Sequence, residues 1–130
     1  MAQILLIEAD GLMAGNIKKY LGRAGHDVRW HVDPQVAMNA IDAKKPDLLI
    51  LDLMLANRSG VEFLYEFRSY PDWQKLPIIV YSSVPETELG YAATDSLHQL
   101  DVAAYHYKPH VGLAELAQSV DLALQAVPAK

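Results

Sequence analysis

Four apolar runs in this sequence each stop at residues that can do chemistry. Ile4 to Ile7 runs into Glu8-Ala9-Asp10, Leu48 to Leu51 into Asp52, Ile78 to Tyr81 into Ser82-Ser83, and Val102 to Tyr107 into Lys108-Pro109. Carboxylates of this kind can hold Mg²⁺, which keeps several waters and takes few protein oxygens. An Asp can attack phosphorus and form an aspartyl phosphate. A Lys and a hydroxyl can then neutralise and hydrogen-bond the transferred oxygens. These residues lie far apart in the chain, so the chemistry exists only if a fold brings the ends of the runs together.

The intervening pattern supplies such a fold. Short continuous apolar runs are the mark of strands buried on both faces. Val28, Trp30 and Val32 alternate with polar residues, as in an edge strand. Between the strands, apolar residues recur at helical spacing: Met13 to Ala24 closed by Gly25, then Asp33-Pro34 to about Lys45, then Gly60 to Ser69. Pro85 to Leu100 predicts a fourth helix through Leu89, Ala93 and Leu97, and Leu113 to Val127 a fifth through Leu116, Val120 and Leu124. Five strands alternating with five helices predict an α/β fold with a doubly wound parallel sheet. Sites in such sheets lie beyond the carboxyl ends of the strands. That rule gathers Glu8, Asp10, Asp52, Ser82 and Lys108 at one edge.

Composition narrows the classes. The 130 residues predict one domain, 1–130, with no output domain, and 52% hydrophobic content excludes a disordered chain. There is no cysteine, so thiolate metal sites are excluded. The net charge of −5 and the scattered basic residues argue against a nucleic-acid partner. No apolar stretch approaches the roughly 20 residues that span a bilayer, so no membrane partner is expected. The chain reads as soluble and cytoplasmic.

The same segments resemble a known family, the response-regulator receiver domain, in its single-domain, chemotaxis-regulator-like form. Ile4-Leu5-Leu6-Ile7-Glu8-Ala9-Asp10 resembles the receiver opening, an apolar strand running into adjacent acids. Pro46 to Leu55 resembles the segment around the phosphorylated aspartate, Leu76 to Ser83 the strand ending in the switch hydroxyl, and Tyr105-His106-Tyr107-Lys108-Pro109 the switch aromatic and the lysine before a cis proline. The resemblance spans residues 3 to about 125 and implies a flavodoxin-like sheet of strand order 2-1-3-4-5. It makes Asp52 the phosphoacceptor, Lys108 the phosphate-contacting lysine, Ser82 the switch hydroxyl and Tyr105 the switch aromatic. It implies Mg²⁺ held by Glu8, Asp10, Asp52 and the Met54 backbone carbonyl.

The departures are specific. Ala9 replaces the acid that is usually the direct metal ligand, so Mg²⁺ binding is expected to be weak. The loop Ala56-Asn57-Arg58-Ser59-Gly60 lacks the usual Pro and Asp, although Gly60 fits. The stretch from Ser82 to Lys108 is longer than in common receivers. The functional expectation is a phosphoacceptor in a two-component phosphorelay, whose catalysis is at most self-catalysed transfer to Asp52 and its hydrolysis. Its partners would be a sensor histidine kinase or phosphotransfer protein, and a downstream protein or second copy docking on the fourth helix, fifth strand and fifth helix. The alternative is a pseudo-receiver that binds proteins without phosphorylation. A flavodoxin-like cofactor site fits poorly, because the acidic Glu8-Ala9-Asp10-Gly11 loop repels phosphate. His26, His31, His106 and His110 lack zinc-site spacing. Trp30 and Trp73 read as packing residues.

Overall fold

Particular side chains start and stop the elements. The computed structural model describes residues 2–55, 59–90, 95 and 97–126. Strands β1 (Gln3–Ile7), β2 (Asp27–His31), β3 (Leu48–Leu51), β4 (Ile78–Ser82) and β5 (Ala104–Tyr107) alternate with helices α1 (Gly11–Arg23), α2 (Pro34–Ala43), α3 (Gly60–Arg68) and α4 (Leu113–Gln125). Asp10, Asp33 and Ser59 cap α1, α2 and α3 by accepting from amides of the first turn. Gly25 turns the chain out of α1 at φ +95°, in the left-handed region glycine tolerates.

All strands are parallel, in the order β2-β1-β3-β4-β5. Ile7 lies opposite both His31 and Leu51, Leu51 opposite Val80, and Ser82 opposite Tyr107. The strands therefore end together, and Glu8, Asp52, Ser82 and Lys108 fall along one edge. The alternation of the strands feeds two cores. Leu5, Ile7, Leu49, Leu51, Ile78 and Val80 pack with α2 and α3, while Ile4, Leu6, Leu48, Ile50 and Ile79 pack with α1 and α4. Coverage of both faces is why β1, β3 and β4 are continuous apolar runs. The edge strands β2 and β5 are only part-buried.

Two expectations change here. The helix expected over Pro85 to Leu100 is not continuous. Glu86–Glu88 forms a 3₁₀ turn, Gly90 stands at φ +84°, and residues 95 and 97–99 are helical. A positive φ cannot continue a right-handed helix. Ala93, one of the residues on which that helix was read, lies outside the described residues, as do Ala56, Asn57 and Arg58 of the loop after Asp52. The fifth strand starts at Ala104 and not at Val102, because the Val102 amide donates back to Leu97 to close the preceding turn. Among the described residues, no helix is long and apolar enough to cross a membrane.

Candidate functional site

The acidic loop after β1 and the ends of β3 and β4 converge on Lys108. Glu8 is 1% exposed and Asp52 5% exposed. The Lys108 ammonium donates to Asp52 Oδ2 at 2.8 Å and also to Glu8 Oε1. The second oxygen of each acid is also engaged: Asp52 Oδ1 accepts from the Met54 amide at 3.0 Å, and Glu8 Oε2 from the Asp10 amide at 3.2 Å. Backbone bonds extend the sheet under this cluster, from the Asp52 amide to the Ile7 carbonyl and from the Lys108 amide to the Ser82 carbonyl. Gly60 closes the loop beneath Asp52. A Cβ there would come within 2.5 Å of the Leu53 backbone, so no larger residue fits without a shift.

Burial sets the electrostatics. It raises the Glu8 carboxyl above the ordinary range; the Lys108 hydrogen bond opposes this and the Asp52 charge adds to it. Burial alone would lower the Lys108 ammonium, but its bonds to Asp52 and Glu8 outweigh that and leave it raised. Lys108 is therefore a firm cation facing two acids.

Ser82 is fully buried, and its Oγ accepts from the Val84 amide at 3.1 Å. The Tyr105 hydroxyl donates to the carbonyl of the same Val84. Ser82 and Tyr105 are thus joined through one backbone unit. Burial raises the Tyr105 phenol, opposed by the Ser82 hydroxyl and reinforced by Glu86 and Asp52. Tyr105 is half-buried against the α2–α3 side core.

The structure brings together Glu8, Asp52, Ser82 and Lys108, with Met54 at the rim. It does not bring in Asp10, whose carboxylate accepts from the Leu12 and Met13 amides as the cap of α1. Ala9 is exposed and brings no carboxylate. These residues do not form a ready cation site: Lys108 holds an oxygen of both inner acids. Among the described residues, no three His, Asp or Glu side chains are placed to share an ion. The Lys108–Pro109 bond is trans, contrary to the cis bond the resemblance implies; no described peptide bond is cis. The chain instead turns there, with the His110 and Val111 amides both donating to the Tyr107 carbonyl.

Three contributors were missed in the sequence. Val84 acts through its backbone. Tyr81 donates its hydroxyl to the Val111 carbonyl at 2.8 Å, tying down the turn that carries Lys108. Trp30 donates its indole N–H to the Glu8 carbonyl at 2.8 Å. Backbone acceptors leave no trace in residue types, although a Trp on the strand that pairs with β1 is a usable signal. A separate cleft between Arg68, Pro77, Ala103 and Leu122 holds none of these residues.

A parallel sheet of this order with an acid–lysine cluster at its carboxyl edge defines a flavodoxin-like receiver architecture. The chain belongs to the response regulator receiver domain family, whose model matches residues 4–120. It is 30% identical over 127 residues to the KDP operon transcriptional regulatory protein KdpE of Escherichia coli, covering 96% of this chain and 52% of that protein. It superposes on the BeF₃-activated receiver domain of Klebsiella pneumoniae RstA with a TM-score of 0.81 at 26% identity, covering 95% of this chain and 98% of that one. The Mn²⁺-bound form of response regulator Rcp1 gives a TM-score of 0.78 at 24% identity, covering 99% and 100% of the two chains. The chain spans 30% to 52% of the length of the first curated relatives it matches.

Proposed function

We propose that Asp52 accepts a phosphoryl group from a phosphohistidine of a sensor kinase or phosphotransfer protein. The observation that carries this is the buried Asp52 carboxylate at the end of β3, held by the Lys108 ammonium at 2.8 Å. A carboxylate oxygen attacks phosphorus, the phosphorus–nitrogen bond of the phosphohistidine breaks, and the leaving imidazole takes up a proton. Lys108 then neutralises one of the transferred oxygens, and positioning with charge stabilisation supplies the catalysis. Residue assignments rest on this geometry: Asp52 as acceptor, Lys108 as phosphate contact, Ser82 and Tyr105 as switch.

The switch follows from the Val84 link. To reach a new phosphate oxygen the Ser82 hydroxyl gives up the Val84 amide, and Val84 in turn holds the Tyr105 hydroxyl. Phosphorylation thereby biases the packing of Tyr105, and the changed surface is β5, the segment before it and α4. A downstream protein or a second copy reads that surface. Asp52, Glu8 and the Met54 backbone carbonyl would hold a divalent cation such as Mg²⁺ once Lys108 released their oxygens; it would supply further charge neutralisation, and its binding would be weak because Ala9 brings no ligand.

Hydrogen exchange with and without beryllofluoride tests the switch. Altered protection is expected between Ser82 and His110 and along α4. Change confined to the neighbourhood of Asp52, or no change at all, would contradict it and leave a phosphorylation-independent binding module.

A further inference from the structure

Glu8 sits one residue past the end of β1, where the ladder to β2 has also ended at His31. Its amide still donates to the His31 carbonyl at 3.2 Å, but β2 offers its carbonyl no further backbone partner among the hydrogen bonds described. The Trp30 indole takes that place, with Nε1 2.8 Å from the Glu8 carbonyl oxygen. The same ring lies beside Gly11, where a Cβ would stand 3.5 Å from Cη2. Trp30 therefore braces the whole turn Glu8-Ala9-Asp10-Gly11 from one side. The Lys108 ammonium holds the Glu8 carboxylate from the other. Trp30 is 38% exposed, so its ring buries only in part and a purely packing role is a weak account of it.

We infer that Trp30 is a positioning residue: through its indole N–H it fixes the backbone of Glu8, and through Glu8 it sets the place of Lys108 against Asp52. This rests on the phosphoacceptor reading of Asp52. It also implies that the indole senses the state of the site. A misplaced charge partner costs rate, because phosphoryl transfer depends on positioned groups.

The test uses the full chain in a Trp73→Phe background, which leaves Trp30 the one tryptophan. Acetyl phosphate and Mg²⁺ are added, and intact mass and the Trp30 indole N–H resonance are followed together. The mass is expected to rise by one phosphate while the indole resonance shifts on the same time course. Trp30→Phe keeps an aromatic ring and removes the donor. It is expected to slow phosphorylation about tenfold, the worth of one hydrogen bond, with little change in melting temperature. In a Glu8→Ala background that loss is expected to disappear, as it must if Trp30 acts through Glu8. A mass increase with a still indole and Trp30→Phe as fast as its parent overturns the inference. So does a Trp30→Phe loss that persists undiminished without Glu8. A parent that takes up no phosphate overturns the phosphoacceptor reading instead. The indole of the Glu8→Ala variant then decides the role of Trp30: a shifted resonance supports it and an unshifted one removes it.

Discussion

Lys108 faces two buried carboxylates with a single positive charge. Removing that charge while keeping the aliphatic stem, as in Lys108→Met, leaves Glu8 and Asp52 unpaired and mutually repelling. Urea unfolding at neutral pH is expected to show a loss of about 1.5–3 kcal/mol, the cost of stripping a buried charged group of its partner. The pH dependence has a defined sign. The folded-state Glu8 carboxyl is raised, so its protonated form is the one the fold favours, and acidification into the carboxylate range relieves the repulsion. The difference between variant and wild type should therefore narrow as the pH falls. A gap that stays constant down to pH 4 would contradict this account. Lys108 itself is raised, so what it contributes in the wild type is present below the ordinary lysine range and lost only as the pH climbs through its folded value. The phenols carry a second expectation. Tyr105 and Tyr81 are both raised by burial, so ultraviolet titration should show late-ionising tyrosines, and Tyr105→Phe should remove one of them. If Tyr105→Phe removes an early one, its hydroxyl is not held as described.

At the scale of elements, the start of α1 separates a cap from a ligand. Asp10 accepts from two first-turn amides, so Asp10→Ala is expected to cost about 1 kcal/mol of stability and to leave Mg²⁺ affinity nearly unchanged. A large loss of Mg²⁺ affinity would restore Asp10 to the metal set. The cap was legible, since an Asp directly before a helix start is a standard signal, but the acidic loop drew the residue into the metal set instead. Strands β1, β3 and β4 were legible because both faces are covered and the runs are unbroken. The ends of β3, β4 and β5 bring Asp52, Ser82 and Lys108 to one edge, as the strand order alone implied. The region from Pro85 to Val102 was not legible. Leu89, Ala93 and Leu97 keep helical spacing across Gly90, whose positive φ breaks the helix. The Val102 amide is claimed by Leu97, a hydrogen bond no residue pattern reports. The Ser82–Val84–Tyr105 link was hidden for the same reason, because Val84 contributes only its backbone. Trp30 was read as packing, and the bond that gives it a role also ends on a backbone carbonyl.

At the largest scale, the chain folds as an acidic receiver domain whose charge cluster is held by its own lysine. Folding should therefore not require a metal: the chain is expected to stay folded in chelator. Mg²⁺ at ten times its Kd should add about 1.4 kcal/mol by binding the native state alone. Ala9→Asp is expected to tighten Mg²⁺ binding and to speed phosphorylation. Equal affinities in the two proteins by calorimetric titration would show that the missing acid is without consequence. The central claim is that Asp52 is the phosphoacceptor, and intact mass after incubation with acetyl phosphate and Mg²⁺ tests it most directly. The account predicts a rise of one phosphate in the wild type and none in Asp52→Asn. A phosphate that survives Asp52→Asn, or a wild type that never gains one, would contradict it.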